Sequence, residues 1–185
     1  MRAGRSVRRQ RAWSTPRGVE GRRAAIRSIL ACTVASFGCR ALGARAQLTH
    51  RYNLPTATDL AADAAAATRA RVPILLFFDR GDCPYCERAL REYLVPMTRD
   101  DAWRARAIYR QIEVDRELDL VHFDGRATTH RALAARYDAF FTPTVIVVDS
   151  AGTPLADALV GLAIPDFYGA YLERAIEVGE RKLGK

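Results

Sequence analysis

Residues 72–79 read VPILLFFD, a continuous apolar run of strand length that ends at Gly81-Asp82. A strand that is apolar on both faces has no side to turn to water. It must lie centrally in a sheet, covered by helices above and below. The chain then continues Cys83-Pro84-Tyr85-Cys86. Pro84 suits the first residue of a helix, where its missing N–H is no loss. Leu90, Tyr93 and Leu94 recur at helical spacing beyond it. A buried strand therefore delivers two cysteines onto the first turn of a helix.

The remaining pattern alternates the two kinds of element. Residues 59–71 hold strong helix formers without Gly or Pro, and Thr56 or Thr58 is in place to cap them. Residues 107–115 alternate Ile108, Arg110 and Ile112 as a second strand. Residues 116–127 are polar and read as an irregular loop. A helix is expected over 128–137, with Leu133 and Tyr137 on one face. TVIVVD at 144–149 is a β-branched strand, Ala151-Gly152 a turn, and 155–160 its antiparallel partner. Pro165 opens a last helix carrying Phe167, Tyr168, Tyr171, Leu172, Ala175 and Ile176. The order α-β-α-β-α-β-β-α predicts an α/β three-layer sandwich, with a central mixed sheet flanked by helices.

The chain has 185 residues and a net charge of +8. That charge is not spread evenly. Residues 1–46 hold 11 Arg and one acid, Glu20, whereas 47–185 hold 18 Lys and Arg against 20 Asp and Glu. The first 46 residues read as an export signal. Arg22, Arg23 and Arg27 precede the uncharged stretch ILACTVASFG at 29–38, and Ala44-Arg45-Ala46 supplies small residues at a cleavage site before Gln47. Translation from near Val19 would leave residues 1–18 outside the protein. The Arg22-Arg23 pair also loosely resembles a twin-arginine signal. Two domains are thus expected: 1–46 for export to the periplasm and 47–185 as the mature fold. An uncleaved membrane anchor is the second choice, although the apolar stretch is short for spanning. A nucleic-acid-binding arm requires that the segment stay attached, so no nucleic-acid partner is expected.

Two residues between the cysteines let both thiols meet across one helical turn. Cys83 then sits at the helix N-terminus, where unpaired N–H groups and the dipole favour negative charge. That lowers a thiol from about 8.5 toward 7 or less, and thiolate is the attacking species in disulfide exchange. A structural zinc site needs two further ligands at suitable spacing. After residue 46 only His50, His122 and His130 remain, and none forms such a pair. No metal is expected. A purely structural Cys83-Cys86 disulfide closes too small a loop to remove much chain entropy. Cys32 and Cys39 would leave with the signal, so the mature chain keeps one redox pair.

On these residues the chain resembles the thioredoxin-like superfamily, and within it the exported thiol–disulfide interchange proteins. The resemblance covers roughly residues 55–180. It is carried by LLFFD, by CPYC at a helix start, and by Thr142-Pro143 just before TVIVVD, with Pro143 57 residues after Cys86. Val160-Gly161 is similar to the family's closing segment. The resemblance implies a redox-active Cys83-Cys86 disulfide and no other cofactor. It implies a cis Thr142-Pro143 bond beside that disulfide. It implies a substrate groove formed by Pro84, Tyr85, Thr142 and Pro143, with Tyr85 and Phe141 as apolar lining. Cys83 is the implied nucleophile and Cys86 the resolving thiol. The implied partners of this monomer are protein dithiols and disulfides, with a membrane-embedded electron donor as an option.

Two departures qualify that picture. Members closest to thioredoxin proper carry a buried acid six residues before the first cysteine, where this chain has Phe77. Asp79 and Asp82 stand nearer the motif and are expected at the surface. The CPYC dipeptide is similar to that of glutaredoxins, but Asp149-Ser150-Ala151-Gly152 replaces their Gly-Gly-Asp. A glutathione-dependent reductase is therefore an alternative, as is a redox-inert adaptor on the same fold.

Overall fold

The computed structural model describes residues 51–185. The export segment 1–46, its cleavage point at Ala46-Gln47, Cys32, Cys39 and His50 all lie outside the described residues. The mixed sheet has the order β2-β1-β5-β6. Strand β1 (Ile74–Asp79) is buried at every position. It pairs in parallel with β2 (Ile108–Glu113) and antiparallel with β5 (Thr144–Val148). This is the placement its unbroken apolarity demands. Strand β6 (Leu159–Val160) closes the other edge against β5. Only these two residues of the expected 155–160 partner form the ladder, because the chain bridges first at Val148–Pro154 and then bows away.

Alternate residues of β1 face two cores. Leu75 and Phe77 join Cys86, Leu90, Leu94, Tyr109, Val145, Leu172 and Ile176 on one side. Ile74, Leu76 and Phe78 join Leu60, Ile112, Leu133 and Ile146 on the other. Helix α1 (Leu60–Ala70) covers the second side. It is capped by Asp59, whose carboxylate accepts from the Ala62 N–H at 2.8 Å, and not by either threonine. A carboxylate at this position also complements the helix dipole, which a hydroxyl does less well.

The helix that begins at Pro84 runs to Arg99, longer than expected. It comprises α2 (Pro84–Ala89), a π-helical turn over Leu90–Leu94, and α3 (Val95–Arg99). Pro96 explains the wide turn. Its ring clashes with the carbonyl four residues earlier, and the turn before it opens so that the Val95 N–H bonds Leu90 O. A short α4 (Asp101–Arg104) follows, capped by Asp100.

The segment expected to be irregular contains a hairpin, β3 (Asp119–Val121) with β4 (Ala127–Thr129). Its strands are three residues long and bury only Leu120 fully, which is too little periodicity to register in sequence. Helix α5 (His130–Arg136) follows directly, capped by Thr129. His130 is fully buried. The Glu113 N–H donates to its Nδ1 at 2.9 Å, so the proton sits on Nε2, which donates to Ala57 O at 2.8 Å. One neutral imidazole thus ties α5 to β2 and to the chain entering α1.

Burial holds the His130 imidazole below its ordinary value, against the opposing pull of the Ala57 carbonyl. The unfolded chain therefore binds this proton more readily than the folded one. Its contribution to stability is present above about pH 6.5 and is lost as pH falls. Urea midpoints taken from pH 7.5 to 5 should fall with pH, and His130→Gln should flatten that slope. An unchanged slope in the variant would remove His130 from the account.

Candidate active site

Strand β1 ends at Asp79, and Arg80, Gly81 and Asp82 carry the chain to Cys83, which caps α2. The turn is held by the Arg80 guanidinium on the Asp82 carboxylate. Cys83 and Cys86 form a disulfide, with their Cα atoms 5.2 Å apart. The Cys86 N–H points at Cys83 Sγ from 3.2 Å. This is one of the free donors of the first helical turn, aimed at the atom that carries negative charge when the bond is reduced. Cys83 is partly exposed and Cys86 fully buried. The two sulfurs are therefore unequal: one is open to a partner and the other can be reached only from inside.

The second component comes from the far side of β1. The Thr142-Pro143 bond is cis, and Thr142 O lies 3.7 Å from Cys83 Sγ. Thr144 Oγ1 donates to Phe141 O at 2.7 Å and fixes the loop before β5. Pro143 is buried, while Thr142 is half-buried. Around this point Tyr85 is 62% exposed and Phe141 75%. Neither is a packing residue, and with Phe140 they leave an apolar rim around the disulfide. Cys83, Pro84, Tyr85 and Thr142 thus reach the surface at one place, with Cys86 and Pro143 buried beneath them.

Asp79 corrects the sequence reading. It is fully buried, not at the surface, whereas Asp82 is exposed. Gln111 explains the burial. Its Oε1 accepts from the Leu54 N–H at 2.9 Å, which fixes the amide so that Nε2 donates to Asp79 Oδ2 at 2.7 Å. Asp79 shares the parity of Leu75 and Phe77 along β1, and so the sheet face that carries Cys86. The signal was an acid ending an otherwise apolar strand; what sequence could not supply was the buried glutamine on the neighbouring strand. The segment entering the fold reaches the same place, since the Arg51 N–H donates to Glu87 Oε2, one residue beyond Cys86. Among the described residues no cluster of His, Cys, Asp and Glu is assembled to hold a metal ion.

The thioredoxin-like domain family model matches residues 59–176. The chain belongs to the thioredoxin-like family. In this fold the Cys83–Cys86 pair stands at the start of α2. No curated protein matches it by sequence. Among solved structures it is similar to the oxidised C-terminal domain of Neisseria meningitidis DsbD, at 21% identity over 65% of this chain and 98% of that one, with a TM-score of 0.45. It is also similar to the reduced periplasmic thioredoxin SoxS of Paracoccus pantotrophus, at 24% identity over 57% and 97%, TM-score 0.39. A third is the thioredoxin of Fasciola hepatica, at 14% over 67% and 97%, TM-score 0.45.

The inequality of the two sulfurs sets an expectation for the reduced protein. Iodoacetamide should modify Cys83 first, with a half-maximal rate well below the ordinary thiol value of about 8.5. Modification of Cys86 first, or of neither below pH 8, would contradict the geometry.

Proposed function

We propose that the protein is an exported oxidoreductase that exchanges disulfides with partner proteins in the periplasm, through Cys83 as nucleophile and Cys86 as resolving thiol. The observation that carries this reading is the placement of a partly exposed Cys83 sulfur at a helix start, beside the Thr142 carbonyl, with Cys86 buried behind it. In the first step the Cys83 thiolate attacks a partner disulfide. A Cys83–partner bond forms, and the other partner sulfur leaves as a thiolate and takes up a proton. In the second step Cys86 gives up its proton and attacks Cys83 Sγ. The intramolecular disulfide forms and the second partner sulfur is released reduced. Two electrons pass to the partner. Run in reverse, the oxidised pair accepts two electrons from a partner dithiol.

The remaining residues position the partner. Thr142 offers backbone groups to an extended chain, in the manner of an added strand. Pro143 shapes the floor, and Pro84 and Tyr85 form the outer wall. The protein acts as a monomer on protein dithiols and disulfides. A membrane-embedded donor supplies electrons when the chain works as a reductase. The mature protein is 47–185, released by cleavage near Ala46-Gln47. The balance of acids and bases after residue 46 is consistent with a protein that does not bind nucleic acid. Among the described residues no helix is long and apolar enough to cross a membrane.

Removing the resolving thiol leaves only slow external release of the mixed disulfide. Cys86→Ala, expressed with its leader and recovered from the periplasm, should carry covalently trapped proteins on non-reducing gels. Cys83→Ala should carry none. Intact mass after reduction should place the start near Gln47. Equal trapping by both variants, or by neither, contradicts thiol exchange; a retained leader contradicts export with cleavage.

A further inference from the structure

Helix α6 (Pro165–Lys182) is amphipathic, but its apolar stripe is wider than the core it covers. Tyr168, Leu172, Ala175 and Ile176 are buried, whereas Phe167 is 59% and Tyr171 44% exposed. Between the start of this helix and β6 lies a cavity of about 230 Å³. Its lining includes Leu159, Val160, Ile164, Tyr168 and Tyr171. Three observations distinguish it from an ordinary surface depression.

The first is an open strand edge. Among the described residues, strand β6 has β5 on one side only. The Gly161 N–H points inward, donating to Pro143 O at 2.7 Å, and Leu159 faces Val145 across the ladder. By the alternation of an antiparallel pair, the N–H and C=O of Val160 point outward. The second is a polar group without a partner. The Tyr168 hydroxyl is fully buried and makes no hydrogen bond among the described residues. Burial pushes this phenol well above its ordinary value, so it stays a donor. Its ring is held by an edge contact with Tyr93, whose own hydroxyl donates to Pro165 O at 2.7 Å. The third is continuity. Thr142 touches Cys83, and Thr144, two residues on, faces Val160.

We infer that the trough between β6 and α6 is a second recognition site for the client, in which an extended segment adds as a strand to the outer edge of β6 and places an apolar side chain in the cavity. This rests on the exchange function proposed above. Outward backbone groups call for another backbone, and an apolar cavity of this size takes one large aliphatic or aromatic side chain. From Cys83 to the outer edge is on the order of 12 Å, or about four residues of extended chain. The preferred client thus has a large apolar residue about four positions from its reactive cysteine.

Two peptides of about twelve residues test this, each with one cysteine in a mixed disulfide and either Leu or Asp four positions away. Bis(2-hydroxyethyl) disulfide serves as a substrate too small to reach the trough. Wild type should turn over the Leu peptide about tenfold faster than the Asp peptide, as kcat/KM. Ile164→Asp, at an exposed rim position, should lower the ratio of Leu-peptide to small-disulfide rates about tenfold. Equal rates for the two peptides, or an unchanged ratio in Ile164→Asp, would overturn the site while leaving the exchange function standing. Failure of wild type on the small disulfide would overturn that function instead. Fluorescence anisotropy with a cysteine-free Leu peptide then decides the trough separately: binding weakened by Ile164→Asp supports it, and no binding removes it.

Discussion

The site depends on strand β1 being held from both sides. Its parallel bond ladder to β2 and its antiparallel ladder to β5 leave it no freedom of register, since a slip of one residue would exchange the Leu75–Phe77 set with the Leu76–Phe78 set. Both sets would stay buried, but in holes shaped for the other, and such misfits cost typically about 1–3 kcal/mol each, which is large against the stability of an ordinary domain. The cysteines are attached to the end of this strand by the short turn 80–82, and Thr142-Pro143 is attached to the start of β5. Because β1 and β5 are locked together, the Cys83 sulfur and the Thr142 carbonyl are brought within van der Waals reach without any direct bond having to hold them there.

Much of this could be read from the residues alone, and the reasons are physical. Residues 72–79 are apolar on both faces, which admits one kind of strand. Pro84 between two cysteines marks a helix start, and a proline before a β-branched run marks the loop that meets it. What could not be read depends on partners distant in sequence. Asp79 is buried because Gln111 and, through it, the Leu54 amide receive it. His130 is buried because Ala57, 73 residues earlier, offers a carbonyl. The β3–β4 hairpin is too short for periodicity to reveal. The length of the α2–α3 helix was hidden by Pro96, which normally stops a helix but here only widens a turn.

The two faces of the sheet divide the work. The face opposite the disulfide is closed by α1, α5 and the His130 tie. Its other strong polar contact, the bidentate pair between Arg110 and Asp63, fastens α1 to β2. The disulfide face keeps its apolar residues incompletely covered, from Tyr85 and Phe141 at the sulfur to Ile164 just before α6 and Phe167 and Tyr171 on it. Exposed aromatic area on this scale is a liability for a domain unless it is used. Its concentration around and beyond the reactive cysteine suits a protein that must grip other chains while their sulfurs exchange.

The central claim is that Cys83–Cys86 is a working redox couple and not a structural bridge. Equilibration with glutathione buffers, read by thiol alkylation and mass, tests it directly. The account predicts one reversible two-electron transition with a midpoint between about −270 and −120 mV, the range of thioredoxin-fold exchange proteins. A midpoint below about −300 mV, where structural disulfides lie, or a pair that does not reoxidise, would contradict it.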